Sequence, residues 1–360
     1  MIDNGAPETE AETMRRGLAI LADRLPAGWS VELDTGGHGD RGADGLIELT
    51  AADGKATTLV VESKRVVEGR DVEAIRAQLD ASAAGIPGSA ALLMARYLSP
   101  PVRERLARAG ISYVDATGNV RVEVSVPGLF VSDRGADRDP WRGPGRPRGT
   151  LKGAPPAKIV RALADIGGPW TVRELVKVAQ VSTGAAYRVI EYLEREGLAV
   201  RDESGSLTVP DWAELLRRWS DEYGFVRSSR VTRWIAPRGL PDLVRRASAS
   251  DTSVPYAVTG TLAAAEWAEY APARSAMVYT ADAAALAALW DLRPADVGAN
   301  VMLAEPEFDV VYERTVTRGG LCLAAPTQVV VDLMTGPGRA PSEAEELLDW
   351  MVRNEASWRV

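Results

Sequence analysis

Three side chains early in the chain are of the types that could act together: Asp44 and, further on, Glu62 and Lys64 of a Glu-Ser-Lys triplet. Two carboxylates supply the hard oxygen ligands that Mg2+ takes, and a lysine beside them positions or activates an attacking water. A second set of residues is suited to gripping a polyanion. Pro140–Arg161 reads PWRGPGRPRGTLKGAPPAKIVR and holds Arg142, Arg146, Arg148, Lys152, Lys158 and Arg161 with no acid among them. Other chemistries are poorly provided for. The single cysteine, Cys322, excludes an intramolecular disulfide and any Cys-rich zinc or iron–sulfur site. The single histidine, His38, excludes histidine-cluster metal chemistry and argues against a Ser-His-Asp triad.

Charge along the chain gives these residues their setting. The 360 residues suffice for two or three domains, and the composition, 46% hydrophobic and 26% charged, is globular. A formal net charge of −8 rules out coating nucleic acid by bulk charge. Residues 1–135 carry 15 basic and 20 acidic side chains, residues 136–210 carry 12 and 9, and residues 211–360 carry 15 and 21. A basic island between acidic blocks focuses its field at one place, as a local polyanion site requires. The acidic, polar N-terminus does not read as a signal peptide, and no apolar run approaches the ~18 residues of a membrane span. A cytoplasmic protein without a membrane partner is expected.

In the N-terminal block, Met14, Leu18, Leu21 and Leu25 fall at helical spacing and predict a helix over Glu12–Leu25, ended by Pro26. Asp44–Thr50 and Thr57–Lys64 read as strands of a hairpin, and the consecutive Val60 and Val61 mark the second as a central strand buried on both faces. A helix over Val72–Ser82, a strand over Ala90–Met94 and a helix over Pro101–Ala109 follow. Folding at Asp53-Gly54 brings Asp44 across from residues 62–64. A strict two-residue turn pairs it with Ser63, whereas an odd-length loop or a bulge faces it to Glu62 or Lys64. This order of elements, with Asp44, Glu62-Ser63-Lys64 and Gln78 on the next helix, resembles the PD-(D/E)xK restriction-endonuclease-like fold. The resemblance implies Asp44, Glu62, Lys64 and Gln78 as catalytic residues and Asp44 and Glu62 as Mg2+ ligands, all conditional on an active core. No other cofactor is expected. The block is net acidic, which opposes approach of a phosphate backbone. The triad is therefore expected in position within a narrow, acidic or covered cleft, the domain acting as a scaffold or dimerisation unit.

The middle block predicts a winged helix-turn-helix. Pro156–Ile166 forms one helix, broken by Gly167-Gly168. Thr171 and Glu174 make a capping box for a helix over Val172–Ala179, and Ser182 caps a third over Thr183–Glu196. Leu198–Arg201 and Ser206–Val209 supply a hairpin wing. Ala186, Val189, Ile190 and Leu193 form the buried stripe of the third helix, which leaves Thr183, Gly184, Tyr187 and Arg188 on its open face. The N-terminal part of such a helix enters the major groove, where Arg188 reads guanine and Thr183 and Tyr187 reach phosphate or base edges. The DNA-contacting set is Arg142, Arg146, Arg148, Lys152, Ser182, Thr183, Tyr187, Arg188 and Arg201. Gly145-Arg146-Pro147-Arg148 matches the core of an AT-hook, which lies in a narrow A·T minor groove; the same four residues also suit a solvated spacer. The expected domains are 1–136, a basic Gly/Pro linker at 137–155, the winged helix at 156–210 and an α/β domain at 211–360.

In the last block, Trp212–Tyr223 reads as an amphipathic helix. Strands are expected at Val231–Ile235, Tyr256–Thr259, Ala276–Tyr279, Val301–Leu303, Val310–Tyr312 and Val329–Leu333, with helices at Leu262–Tyr270, Ala283–Trp290 and Ser342–Arg353. YAVTGTLAAAEW resembles the start of a nucleotidyltransferase-like domain. The following strand, SAMVYTAD, lacks the paired acids that would hold metal, so a degenerate domain is expected. Glu305, Glu307 and Asp309 read as a solvated edge.

LVVESKR, ISYVDATGNVRV with Tyr113, Asp115, Gly118 and Asn119, the helix-turn-helix, WAELLRRWSDEY, YAVTGTLAAAEW and APTQVVVDLMTGPGRAPSEAEELL together resemble the long form of the AbiEi-type antitoxin and transcriptional regulators of type IV toxin–antitoxin systems. The resemblance spans nearly the whole chain. It implies a repressor that binds its own promoter as double-stranded operator DNA and silences a cognate nucleotidyltransferase-like toxin, the flanking domains serving structure, self-association or sensing. The alternatives are a Mg2+-dependent PD-(D/E)xK endonuclease targeted by its winged helix and a protein-binding adaptor.

Overall fold

The computed structural model describes residues 6–33, 43–141, 149–250 and 252–360. Among them the chain is an α/β protein with two seven-stranded mixed sheets and one two-stranded sheet. It divides into two units, Met1–Pro147 with Glu194–Gly197, and Arg148–Leu193 with Leu198–Val360.

Unit 1 runs α1 (Glu10–Arg24), β1 (Ser30–Leu33), β2 (Gly45–Thr50), β3 (Ala56–Lys64), α2 (Val72–Ala83), β4 (Ala90–Ala95), α3 (Pro100–Arg108), β5 (Ser112–Asp115), β6 (Val120–Val124) and β7 (Leu129–Asp133). Its sheet keeps chain order from β1 to β7. β3, β4 and β5 are parallel and all other neighbours antiparallel. Thr9 and Glu12 close a capping box on α1, and two prolines open α3 where the first amides need no helical partner. Val60 and Val61 face opposite sides of the sheet. Val61 packs with Leu21, Leu59, Leu92 and Val114 beneath α1, and Val60 packs with Leu93 of β4 and with Ile75, Leu79 and Leu106 of the α2–α3 layer. Each such side chain contributes about 1.5–3 kcal/mol of burial, so both faces hold β3 in place.

Unit 2 begins with α4 (Ala154–Asp165), α5 (Val172–Ala179), α6 (Thr183–Arg195), the hairpin β8 (Val200–Arg201) and β9 (Leu207–Thr208), and α7 (Trp212–Ser220). Trp170 pairs with Leu207 through reciprocal backbone hydrogen bonds of 2.8 Å and extends the hairpin. There follow β10 (Ser229–Ile235), α8 (Gly239–Ala249), β11 (Tyr256–Thr259), α9 (Gly260–Ala264), β12 (Ala276–Thr280), α10 (Ala283–Leu289), β13 (Arg293–Pro294), β14 (Val301–Pro306), β15 (Val316–Arg318), β16 (Leu321–Leu323), α11 (Pro326–Met334) and α12 (Ala340–Arg353). The sheet order is β13-β10-β14-β12-β11-β16-β15. One hydrophobic cluster runs from Leu151, Leu163, Ile190 and Leu193 through Leu215 and Trp219 to Val301, Val330 and Leu347. Residues 156–210 and 211–360 therefore share a core.

Several elements differ from expectation. Val329–Leu333 is part of helix α11, not a strand, and Val310–Tyr312 lies in a 3-10 turn, Asp309–Tyr312. Pro326 sets the first turn of α11, and every residue from Pro326 to Leu333 is buried, polar ones included, so the Val329–Val331 run showed no exposed face to separate helix from strand. α8 was not expected. α9 is shorter than Leu262–Tyr270; Gly260 opens it at φ +66°, where a Cβ would approach the Met277 sulfur to 2.7 Å. The basic segment is not wholly an exposed linker. Leu151 is buried and its amide donates to Glu222 at 3.1 Å, and α4 has begun by Ala154. Arg161, counted among the linker cations, is fully buried and paired with Asp165 at 3.0 Å. Glu305 is tied rather than solvated: it accepts from the Ala283 amide at 3.0 Å and pairs with Arg230.

Candidate functional site

Local rules build the α5–α6 corner. The Thr171 hydroxyl accepts from the Glu174 amide at 3.2 Å, and the Glu174 carboxylate accepts from the Thr171 amide at 2.9 Å. That hydrogen bond, with the Thr171 hydroxyl, holds the Glu174 carboxyl below its usual range. α5 ends at Gln180 in the left-handed conformation, φ 50°. The Ser182 hydroxyl accepts from the Ala185 amide at 3.3 Å and starts α6. α6 buries Ala185, Ala186, Val189, Ile190, Tyr192 and Leu193. Ser182, Thr183, Gly184, Tyr187 and Arg188 are exposed, as are Arg173 and Lys177 on α5 and Lys152 ahead of α4. Among the described residues, Lys152, Arg173, Lys177 and Arg188 make no ion pair. Arg173 and Lys177 were not among the expected contacts; their signal was the helical spacing that opposes them to buried Leu175 and Ala179.

The hairpin is differently charged. Arg201 is half-buried on β8, and the loop beyond it carries exposed Asp202 and Glu203. Asp202 accepts from the Ser204 hydroxyl at 2.6 Å and the Ser206 amide at 2.9 Å, which hold its carboxyl low. Its charge is spent on its own loop. Arg142, Arg146 and Arg148 lie outside the described residues.

The carboxylate–lysine group has a defined register. The β2–β3 loop, residues 51–55, is of odd length, and the pairing Gly45↔Val61 sets Asp44 opposite Glu62. Asp44 accepts from the Ser63 amide at 2.7 Å. Glu62 is 1% exposed; Oε1 is ion-paired with the Lys64 ammonium and Oε2 has no partner. The hydrogen bond to Glu62 raises the Lys64 pKa, with Asp44 and Glu10 adding to the effect. Asp44, Glu62 and Lys64 thus come together, while Gln78 lies on the exposed face of α2. Among the described residues no group of three or more Asp, Glu, His or Cys side chains is arranged to hold a metal ion.

The Tyr113–Asn119 stretch forms a buried buckle. Asp115, fully buried, accepts from the amides of Leu98 (2.9 Å), Thr117 (2.8 Å) and Asn119 (3.1 Å), from the Thr117 hydroxyl (2.6 Å) and from Asn119 Nδ2 (2.8 Å). Gly118 turns the chain at φ 96°. Asn119 also donates to the Ala136 carbonyl at 3.0 Å and accepts from the Gly135 amide at 2.9 Å and from Arg103. A Cβ at Gly135 would lie 2.2 Å from the Thr117 oxygen.

A second buried polar group joins α4 to α11. Arg161 donates to Asp165, to Gln328 (3.0 Å) and to the Val310 carbonyl (3.2 Å); Asp165 also pairs with Arg314 and accepts from Thr327. Asp332 accepts from Thr259 (2.6 Å), Tyr279 (2.7 Å) and Gln328 (3.0 Å). Burial pushes the Asp332 carboxyl up to about 7. Polar residues four apart in apolar helices, Arg161/Asp165 and Gln328/Asp332, were the available signal.

Comparison with protein-family models, curated proteins and solved structures returns no match. Fold and sites define an α/β protein with mixed sheets, one open cationic helix corner and one internally neutralised carboxylate–lysine group.

Proposed function

We propose that the chain is a DNA-binding transcriptional regulator in which α4, α5, α6 and the β8–β9 hairpin act as a winged helix and α6 is the recognition helix. The observation that carries this reading is the exposed first half of α6, where Thr183, Tyr187 and Arg188 stand clear of the core and Arg188 has no ion-pair partner among the described residues. In the reading, Arg188 makes a bidentate base contact, Thr183 and Tyr187 reach base edges or phosphates, and Arg173, Lys177 and Lys152 meet the backbone. The acidic hairpin tip favours contact through the α5–α6 corner over contact through the wing. The basic segment with Arg142, Arg146 and Arg148 extends the footprint into an A·T-rich minor groove. The sequence resemblance supplies the setting: an AbiEi-type repressor of its own promoter, paired with a nucleotidyltransferase-like toxin, in which the PD-(D/E)xK-like and nucleotidyltransferase-like domains serve as non-catalytic parts.

The endonuclease alternative draws on Asp44 facing Glu62. Against it, Glu62 is buried and neutralised by Lys64, which leaves the lysine protonated and engaged. A footprint on the chain's own upstream DNA, with and without Mg2+, tests both. A protected operator without cleavage is the expected result; Mg2+-dependent nicking abolished by Glu62→Ala would replace the regulator with the nuclease.

A further inference from the structure

The carboxyl ends of β3, β4 and β5 lie side by side, since Lys64 pairs with Ala95 and Ala95 with Asp115. In open α/β sheets this edge is where ligands bind. Here it is crossed by residues 134–141, an irregular strap that leaves the end of β7. The strap is tied down along its length. Asn119 holds Gly135 and Ala136; the Asp137 carbonyl accepts from the Tyr97 hydroxyl at 2.8 Å; Arg16 lies over the Trp141 ring at 5.1 Å. Its two charged anchors are Asp137, paired with Arg103 at 2.7 Å, and Asp139, paired with Arg96 at 2.6 Å.

The arginines are mostly buried, with side chains 22% exposed for Arg96 and 11% for Arg103, yet the Nε of each is a buried donor without an acceptor. A mostly buried guanidinium calls for an oxyanion that can accept along its N–H edges, Nε included. Each aspartate engages only one terminal nitrogen, the other terminal nitrogen of Arg103 donating to Asn119, and Asp137 is 72% exposed, so its pairing is worth little. A phosphoryl group, with three strong acceptor oxygens, would replace the aspartate at a terminal nitrogen and satisfy the orphaned Nε as well.

The geometry points to a phosphoryl-binding site on the carboxyl edge of unit 1, built by Arg96 and Arg103 and held shut by Asp137 and Asp139 of the strap. Its ligand is a small phosphorylated anion. The site is separate from the α5–α6 corner and does not depend on DNA binding.

The test uses the full chain and pyrophosphate as probe. In calorimetric titration, Asp137→Asn with Asp139→Asn is expected to raise pyrophosphate affinity at least tenfold. Adding Arg96→Gln and Arg103→Gln should abolish the gain, and Glu73→Gln with Asp80→Asn, which removes the same charge elsewhere on unit 1, should give none. In the unmutated chain, saturating pyrophosphate should speed amide exchange in residues 134–141, a measurement that stands even if the aspartate variant fails to fold. Competition by ADP assigns the phosphates to a nucleotide, and failure to compete assigns them to a free anion; both support the site. Unchanged strap exchange at saturating pyrophosphate, or a gain that survives loss of both arginines, overturns it.

Discussion

The cations on the carboxyl edge of unit 1 and those on the α5–α6 corner are similar in kind and opposite in state. Lys64, Arg96 and Arg103 are each matched to a carboxylate, Glu62, Asp139 and Asp137. Arg173, Lys177 and Arg188 have no acidic partner among the described residues and are exposed. A cation neutralised by its own chain presents little field to an incoming polyanion. A solvated, unpaired one costs the fold almost nothing and keeps its charge available. The pairing state of the basic residues, more than their number, separates a closed edge from an open cationic surface.

That contrast is broken most directly at the Asp115 buckle. Asp115→Ala removes the acceptor of five donors, three of them buried, so unit 1 should lose about 3 kcal/mol in denaturant unfolding, with DNA affinity lowered only through the loss of folded protein. A loss under about 1 kcal/mol would mean that water reaches the turn and that the strap is weakly held.

Asp332 carries the contrast into an interior without solvent. Its carboxyl, raised to about 7, is protonated in the folded chain over a range where the unfolded chain, near pKa ~3.9, is ionised. The native state then binds the extra proton, so stability should fall as pH rises from about 4 to about 7, by a few kcal/mol at ~1.4 per pH unit. Asp332→Asn should flatten that slope in melts across the range. A slope unchanged by the substitution would assign the pH dependence to other groups.

Arg188→Ala should leave the melting temperature within about a degree, since exposed substitutions change stability by less than ~0.5 kcal/mol. It should cost about 1–3 kcal/mol on the specific operator and little on random DNA in gel-shift titrations. Equal losses on both would reduce Arg188 to a phosphate clamp. Replacing Arg146 and Arg148 with Ala is the finest test. It should lower the salt slope of binding by roughly 1.8, two contacts at ~0.9 each, mainly on sites with A·T flanks. An unchanged slope would make the segment a spacer.

Much of the scaffold was legible because it obeys short-range rules. The capping box at Thr171/Glu174, the hairpin of β2 and β3, and the open face of α6 follow from spacing and backbone chemistry within a few residues. The candidate contacts at Thr183, Tyr187 and Arg188 came from the same arithmetic. The facing of Asp44 could be narrowed but not chosen, because it turns on whether the loop holds an even or odd number of residues, and that is decided by pairing along both strands.

Local sequence determined which segments would be helices or strands where periodicity was clear, and which face of each would be polar. Tertiary structure alone decided what the charged residues became. Arg161 reads as one more linker cation until α4 packs against α11 and Gln328, 167 residues away, becomes its partner. Asp137 and Asp139 read as linker acids until β7 delivers the strap to Arg103 and Arg96. Val329–Leu333 reads as a strand until the fold shows it continuing the helix that Pro326 opens, buried on every side. Propensity and capping act over one or two turns, whereas burial and ion pairing depend on groups that meet only after the chain has folded, and a charge changes its role according to which of those groups it meets.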